Sequence, residues 1–265
     1  MTGHILSSVE NQVGYLQIAR PEKRNAITLE MWMELTDQLQ RLMAASVRAI
    51  VIAGVPGNFV SGADILEFDH TKSSPEAARR SFLAVDEFCR ALYEAPVLVL
   101  AAIDGFAIGA GLELAVSCDI RLATRSSKLG ITSAKLGITI GRAHIRRLMA
   151  VVGAAHALDL LTTGRLITAD ESYHMGLVTE VVPDGKLAER VDAWVDRYRR
   201  RAPLSLAWAK EAVHRISADP SLGWVRDDAG ESIACFETDD FREAVRAFRQ
   251  HRTPTFHGNQ GGKDR

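Results

Sequence analysis

The stretch "VLVLAAIDGFAIGAGLELAVSCDI", residues 97–120, decides the fold. Its first seven residues are an uninterrupted apolar run, the pattern of a strand buried on both faces. Glycines follow at 105, 109 and 111, and the apolar run then resumes around one carboxylate, Glu113. Strand, bare turn and helix in direct succession form one unit of a parallel α/β sheet. A glycine inside a helix costs up to about 1 kcal/mol against alanine. The placement makes sense if a ligand must approach the N–H groups at the helix entrance, beside a single acid.

Working outward, "VGYLQIA" (13–19) alternates as a strand should, and "RPEKRNA" breaks it. Thr28 is an N-cap for a helix to about Ala45, and "VRAIVIAG" (47–54) is a second buried strand closed by glycine. Ser74-Pro75 opens a helix reaching Glu94, with proline at its first position, and "DIRLATRS" (119–126) is a third, short strand. Helices are expected at 154–162, 168–175 and 185–201, interrupted by a strand at 177–182. Helices at 203–217, 221–236 and 239–250 finish the chain, Phe236 and Phe241 forming their packed face, and the glycine-rich tail from His257 is expected to fray. The class is therefore α/β, a core over residues 1–200 followed by a C-terminal helical region over 201–265.

The 265 residues carry a net charge of −1, with 47% hydrophobic and 25% charged side chains. This balance offers no electrostatic case for nucleic acid or an anionic membrane surface. Three scattered cysteines (Cys89, Cys118, Cys235) fit neither a disulfide framework nor a zinc site and suggest a reducing compartment. The start "MTGHILSSVENQ" has no basic segment before an apolar run, so no secretory signal is expected, and the location read from this is cytoplasmic. Asp64, Asp69 and His70 lack metal-ligand spacing.

Two strands thus run into glycine-containing turns, "SGAD" (61–64) and "GFAIGAG" (105–111). Ligands of open α/β sheets bind beyond the carboxyl ends of neighbouring strands. There the N–H groups near Ala63 and of Ala110 would converge on one oxygen, helped by the helix dipole. Gly62, Gly109 and Gly111 would keep the approach open. Such a pair is an oxyanion hole, suited to a carbonyl whose charge grows during reaction; one donor is worth roughly 2.7–4 kcal/mol in the transition state.

The ordered set "NAIT", "FVSGADI", "APVLVLAAIDGFAIGAGLELAVSCDIRLAT", "LGIT", "LLTTGRLITADESYHMGLVTEVVP" and "AFRQHRTPTF" resembles the enoyl-CoA hydratase/isomerase, or crotonase, family across nearly the whole chain. The resemblance implies a crotonase-like (ClpP/crotonase) spiral of ββα units with a C-terminal helical extension that assembles trimers, often paired as hexamers. It implies an acyl-CoA thioester substrate, with CoA part of that substrate and no separate cofactor. By position, Ala63 and Ala110 match the two donors to the thioester oxygen, and Glu113 matches the first catalytic glutamate of the hydratases. Ser61 and Gly62 match the segment lining the adenine. Arg24 matches a residue beside the CoA; Ala26, Asp64, Ile65 and Gly109 belong to the same matched, substrate-binding segments. Phe248 matches an aromatic that reaches a neighbouring subunit's CoA.

One departure bears on the reaction. Hydratases of the family carry a second glutamate where this chain has Ser133, and "IGRAH" (140–144) replaces a Pro-Gly-x-Gly-Gly turn. A serine holds water but does not exchange protons near neutral pH. Without a carboxylate neighbour, only burial would raise the pKa of Glu113. His144, followed by Arg146 and Arg147, reads first as a helix-start or interface residue and second as a proton-transfer or acyl-recognition group, with Arg142 beside it. The leading expectation is a hydratase-type lyase acting through Glu113. The alternatives are isomerisation, decarboxylation or thioester hydrolysis on the same platform, or a non-catalytic acyl-CoA binder.

Overall fold

Strands and helices alternate along the chain. The computed structural model describes residues 4–224 and 233–258. β1 (His4–Glu10) and β2 (Val13–Ala19) form an antiparallel hairpin leading into α1 (Leu29–Ala44). β3 (Ala49–Gly54) is followed by two isolated bridging residues, Val60 and Ala63, and by α2 (Phe68–Thr71) and α3 (Pro75–Glu94). β4 (Leu98–Ile103) precedes β5 (Phe106–Ile108) and α4 (Ala110–Ser117). β6 (Ile120–Thr124) precedes β7 (Lys128–Gly130) and α5 (Arg142–Thr163). β8 (Ile167–Thr168), α6 (Ala169–His174) and β9 (Glu180–Val182) complete the alternation. α7 (Leu187–Arg199), α8 (Pro203–Ala218) and α9 (Asp239–Arg249) follow.

The larger sheet runs β1-β2-β3-β4-β6-β9 and is parallel from β2 onward; the smaller runs β5-β7-β8. In the units β4–β5–α4 and β6–β7–α5 the first strand enters the larger sheet and the second the smaller. The strands read as doubly buried are so. Ile50, Ile52, Val99, Ala101 and Ile103 pack under α1, α3 and α4, whereas Val51, Leu100 and Ala102 face Val191 and Val195 of α7. Each fully buried valine, leucine or isoleucine among them contributes about 1.5–3 kcal/mol. Both expected caps are present: Thr28 Oγ1 accepts from Met31 N–H at 3.2 Å, and Ser74 Oγ from Ala77 N–H at 3.1 Å.

Several elements differ from expectation. β1, β5, β7 and β8 carry no strong pattern of their own, and the expected strand at 177–182 pairs only over β9. The helix expected at 154–162 is the second half of α5, which begins at Arg142 and breaks at Gly153 (φ 76°, ψ 166°). Of the helix expected over 221–236, residues 233–234 are helical and 3₁₀ turns stand at Pro220–Trp224 and Cys235–Glu237; residues 225–232 lie outside the described residues, as does the tail from 259. Phe236 and Phe241 do not form a buried face: they are 58% and 40% exposed and pack edge to face on each other, centroids 5.0 Å apart. No helix among the described residues is long and apolar enough to cross a membrane.

Candidate active site

The site is built where the 60–63 loop is zipped to the turn before α4. Val60 N–H donates to Phe106 C=O at 2.8 Å, and Ile108 N–H to Val60 C=O at 3.0 Å. Gly109 (φ 55°, ψ −121°) then turns the chain into α4 through a conformation that only glycine adopts without strain. At Gly111 a Cβ would overlap the Val60 carbonyl and lie 2.8 Å from Val60 Cβ, so the missing side chain is what lets loop and helix touch. On its other edge the loop bridges Ile27: Ile27 N–H donates to Gly62 C=O at 2.9 Å, and Asp64 N–H to Ile27 C=O at 3.0 Å. In a parallel bridge of this kind the flanking residues supply the bonds, and the N–H of Ala63 itself points away from Ile27. Among the described residues neither Ala63 N–H nor Ala110 N–H donates to any acceptor. The other end of α4 is clamped by buried Arg121, which donates to the carbonyls of Cys118 at 2.7 Å, Ala115 at 3.3 Å and Leu177 at 2.6 Å.

A cavity of about 170 Å³ opens at this junction. Ser61, Gly62, Ala63, Asp64 and Ile65 line it from the loop, and Gly109, Ala110 and Glu113 from the turn and α4. Ser133, at the start of a 3₁₀ turn, and His144, in the first turn of α5, close it; Trp32, Phe82, Val85 and Ile140 make much of its apolar wall. The Asp64 side chain is committed elsewhere: its carboxylate accepts from Arg20 Nη1 at 2.7 Å and from Leu66 N–H at 3.0 Å. Burial works against its charge, but those two donors hold its pKa below the usual carboxylate range. Arg24, Ala26, Arg142 and Phe248 do not line the cavity. The Arg24 guanidinium lies 5.7 Å from the Phe106 ring centroid, and the Ala26 carbonyl accepts from Arg20 Nη1 at 3.1 Å. Arg142 faces solvent, and Phe248, on α9, is 83% exposed.

The titratable cluster is larger than the sequence suggested. Glu113 is mostly buried, and its burial pushes the carboxyl up to about 7. His144 is fully enclosed, with Nε2 3.6 Å from Glu113 Oε2 and 3.7 Å from Oδ1 of Asp86 on α3. Burial first, and then the positive charge of Arg147, lower the imidazole to about 4, with Asp86 opposing. A proton shared by Glu113 and His144 therefore resides on the carboxyl. What the arrangement can do is offer two free N–H groups to an anionic oxygen beside an acid that both gains and loses a proton near neutral pH.

A raised carboxyl pKa has a sign in stability. With the folded value near 7 and the ordinary value 4.5, the folded form disfavours the charge. Nothing is lost below pH 4.5; the penalty grows as pH rises and reaches about 3 kcal/mol above 7. Glu113→Gln is expected to raise Tm at about pH 8, with the gain vanishing near pH 4, as thermal melts across that range would read.

The chain is similar along nearly its whole length to proteins of one family. The Enoyl-CoA hydratase/isomerase family model matches residues 8–259. The chain is 32% identical over 255 residues to the short-chain-enoyl-CoA hydratase of Clostridium acetobutylicum, covering 94% of this chain and 95% of that protein. It is 33% identical over 259 residues to the crotonyl-CoA hydratase of Syntrophomonas wolfei, covering 96% and 97%. Its fold is similar to that of a crystal structure described as an enoyl-CoA hydratase/carnithine racemase from Magnetospirillum magneticum, with a TM-score of 0.91, 32% identity and 96% of each chain covered.

Proposed function

The chain belongs to the enoyl-CoA hydratase/isomerase family, and from that premise we propose that it adds water across the double bond of a 2-enoyl-CoA, or removes it, with Glu113 as the one acid–base group. The observation that carries this reading is Glu113 itself, a buried carboxyl poised at about 7 in the wall that presents the unpartnered N–H groups of Ala63 and Ala110. Those two N–H groups hold the thioester oxygen. Ionised Glu113 takes a proton from water as the water oxygen bonds to C3, and the C2–C3 π pair shifts to leave negative charge on the thioester oxygen. Protonated Glu113 then delivers that proton to C2 as the carbonyl re-forms, so atoms and charge balance with one group serving both steps. The proximity of this pKa to neutral pH supports the reading, because both forms of the acid are populated during turnover. Ser133, half-buried in the cavity, orients the water and exchanges no proton.

The same single base favours a second reaction, double-bond isomerisation, in which Glu113 moves a proton from C2 to C4 of a 3-enoyl-CoA without water. Product mass separates the two. Incubation with crotonyl-CoA is expected to consume the conjugated absorbance and yield a product heavier by one water. Unchanged crotonyl-CoA together with an isobaric product from a 3-enoyl-CoA would assign isomerisation instead, and inertness toward both would remove the enzymatic reading.

A further inference from the structure

Three carboxyls line the cavity: Asp64 is held by Arg20 and Leu66 N–H, Glu67 accepts from Leu29 N–H at 3.0 Å, and Glu113 has an imidazole packed against it. His144 sits on α5 behind Glu113, and its Nε2 stands almost equidistant from Glu113 Oε2 (3.6 Å) and Asp86 Oδ1 (3.7 Å). Both separations are slightly longer than a hydrogen bond, so a small turn of the ring completes either one. Nδ1 is buried with no partner among the described residues. A ring proton on Nδ1 would be stranded, whereas on Nε2 it has two acceptors, so the neutral ring carries its proton on Nε2. Glu113 and His144 line the 170 Å³ cavity, while Asp86 opens onto a separate cavity of about 840 Å³ between α3, α5 and α8. The imidazole therefore spans the wall between them.

The charged and titratable surroundings are few. From α3 come Asp86 and the buried thiol of Cys89, the latter near enough to feel the charge of Glu113. From α5 comes Arg147, whose Nη1 donates to Ser117 Oγ at 3.4 Å and whose guanidinium lies 5.0 Å from the Tyr93 ring centroid. Arg147 and burial both keep His144 neutral, so the ring acts as a donor and not as a second base.

We propose that His144 is a positioning residue for Glu113, its Nε2–H turning to Glu113 when that carboxyl is ionised and to Asp86 when it is protonated. The single acid–base group is thereby held in both halves of its cycle, a task the residue at 133 does not share. This rests on Glu113 being the acid–base group, so the decisive readout uses the substrate-free protein. Protonation of Glu113 is followed by its carboxylic C=O infrared band, identified as the band absent from E113Q. In H144L the midpoint is expected to rise by about one unit, a tenfold drop in the dissociation constant, because the ionised form loses its donor. H144Q, which keeps an N–H donor, should restore most of the shift. D86N should lower the midpoint in the wild-type background and lower it much less in H144L, because most of its effect passes through the shared N–H. Equal midpoints in H144L and wild type, or an Asp86→Asn effect of the same size in both backgrounds, would overturn the proposal. If H144L does not fold, imidazole ¹⁵N spectra of the unaltered protein decide: an Nε2–H tautomer whose shift moves with the Glu113 midpoint supports it, and an Nδ1–H tautomer sinks it. Absence of turnover with intact infrared coupling would reject the hydratase reading and leave the coupling standing.

Discussion

Glu113→Gln is expected to lower kcat on the enoyl-CoA substrate by about 10³, within the roughly 10²–10⁴ that a positioned acid–base group supplies, while acyl-CoA affinity changes only a few-fold. Glutamine keeps the size and polarity of a mostly buried side chain that stands 3.6 Å from His144, on a helix whose other residues are largely buried. What is lost is the exchangeable proton. The N–H groups of Ala63 and Ala110 remain, so thioester binding persists, and residual rate reports what they supply alone. Steady-state kinetics beside calorimetric titration of a saturated acyl-CoA would separate the two quantities. A variant that keeps more than a tenth of wild-type kcat would remove Glu113 from the chemistry.

Gly111→Ala is expected to be nearly as damaging through a different route. The added methyl collides with the Val60 carbonyl and Cβ, neither of which is the end of a flexible side chain. Relief requires the 60–63 loop to move off the entrance of α4, which separates Ala63 from Ala110. Overpacking of this kind costs about 1–3 kcal/mol of stability, and a displaced oxyanion donor costs about 10²–10³ in kcat. A lower Tm together with a hundredfold or greater loss of kcat is the predicted outcome, read by thermal melting and product formation on the folded variant. Near-wild-type activity would mean that the loop and helix do not jointly define the site.

The bare helix entrance at 105–111 was legible because glycine beside a carboxylate opposes helix propensity, and an uncompensated local conflict marks a functional position. The buried strands β3 and β4 were legible from unbroken apolar runs, and the caps Thr28 and Ser74 from their chemistry. The smaller sheet was not, since β5, β7 and β8 have two or three residues each and no period fits in so short a span. Residues 142–152 hid as a helix because buried His144 and Arg147 occupy positions that an apolar stripe would fill. The pairing of Glu113 with His144 lies 31 residues apart in sequence and exists only through the packing of α4 on α5. Asp86 carried no signal at all, being one acid among many on the amphipathic helix α3.

The break at Gly153 divides α5 into two rods with a joint between them. In an unbroken helix a half-turn of twist introduced near Thr163 would propagate through the hydrogen-bond ladder to the imidazole at the opposite end. Here the ladder is interrupted, and the two rods answer to different neighbours. The distal rod can thus be remodelled without turning the rod that carries His144.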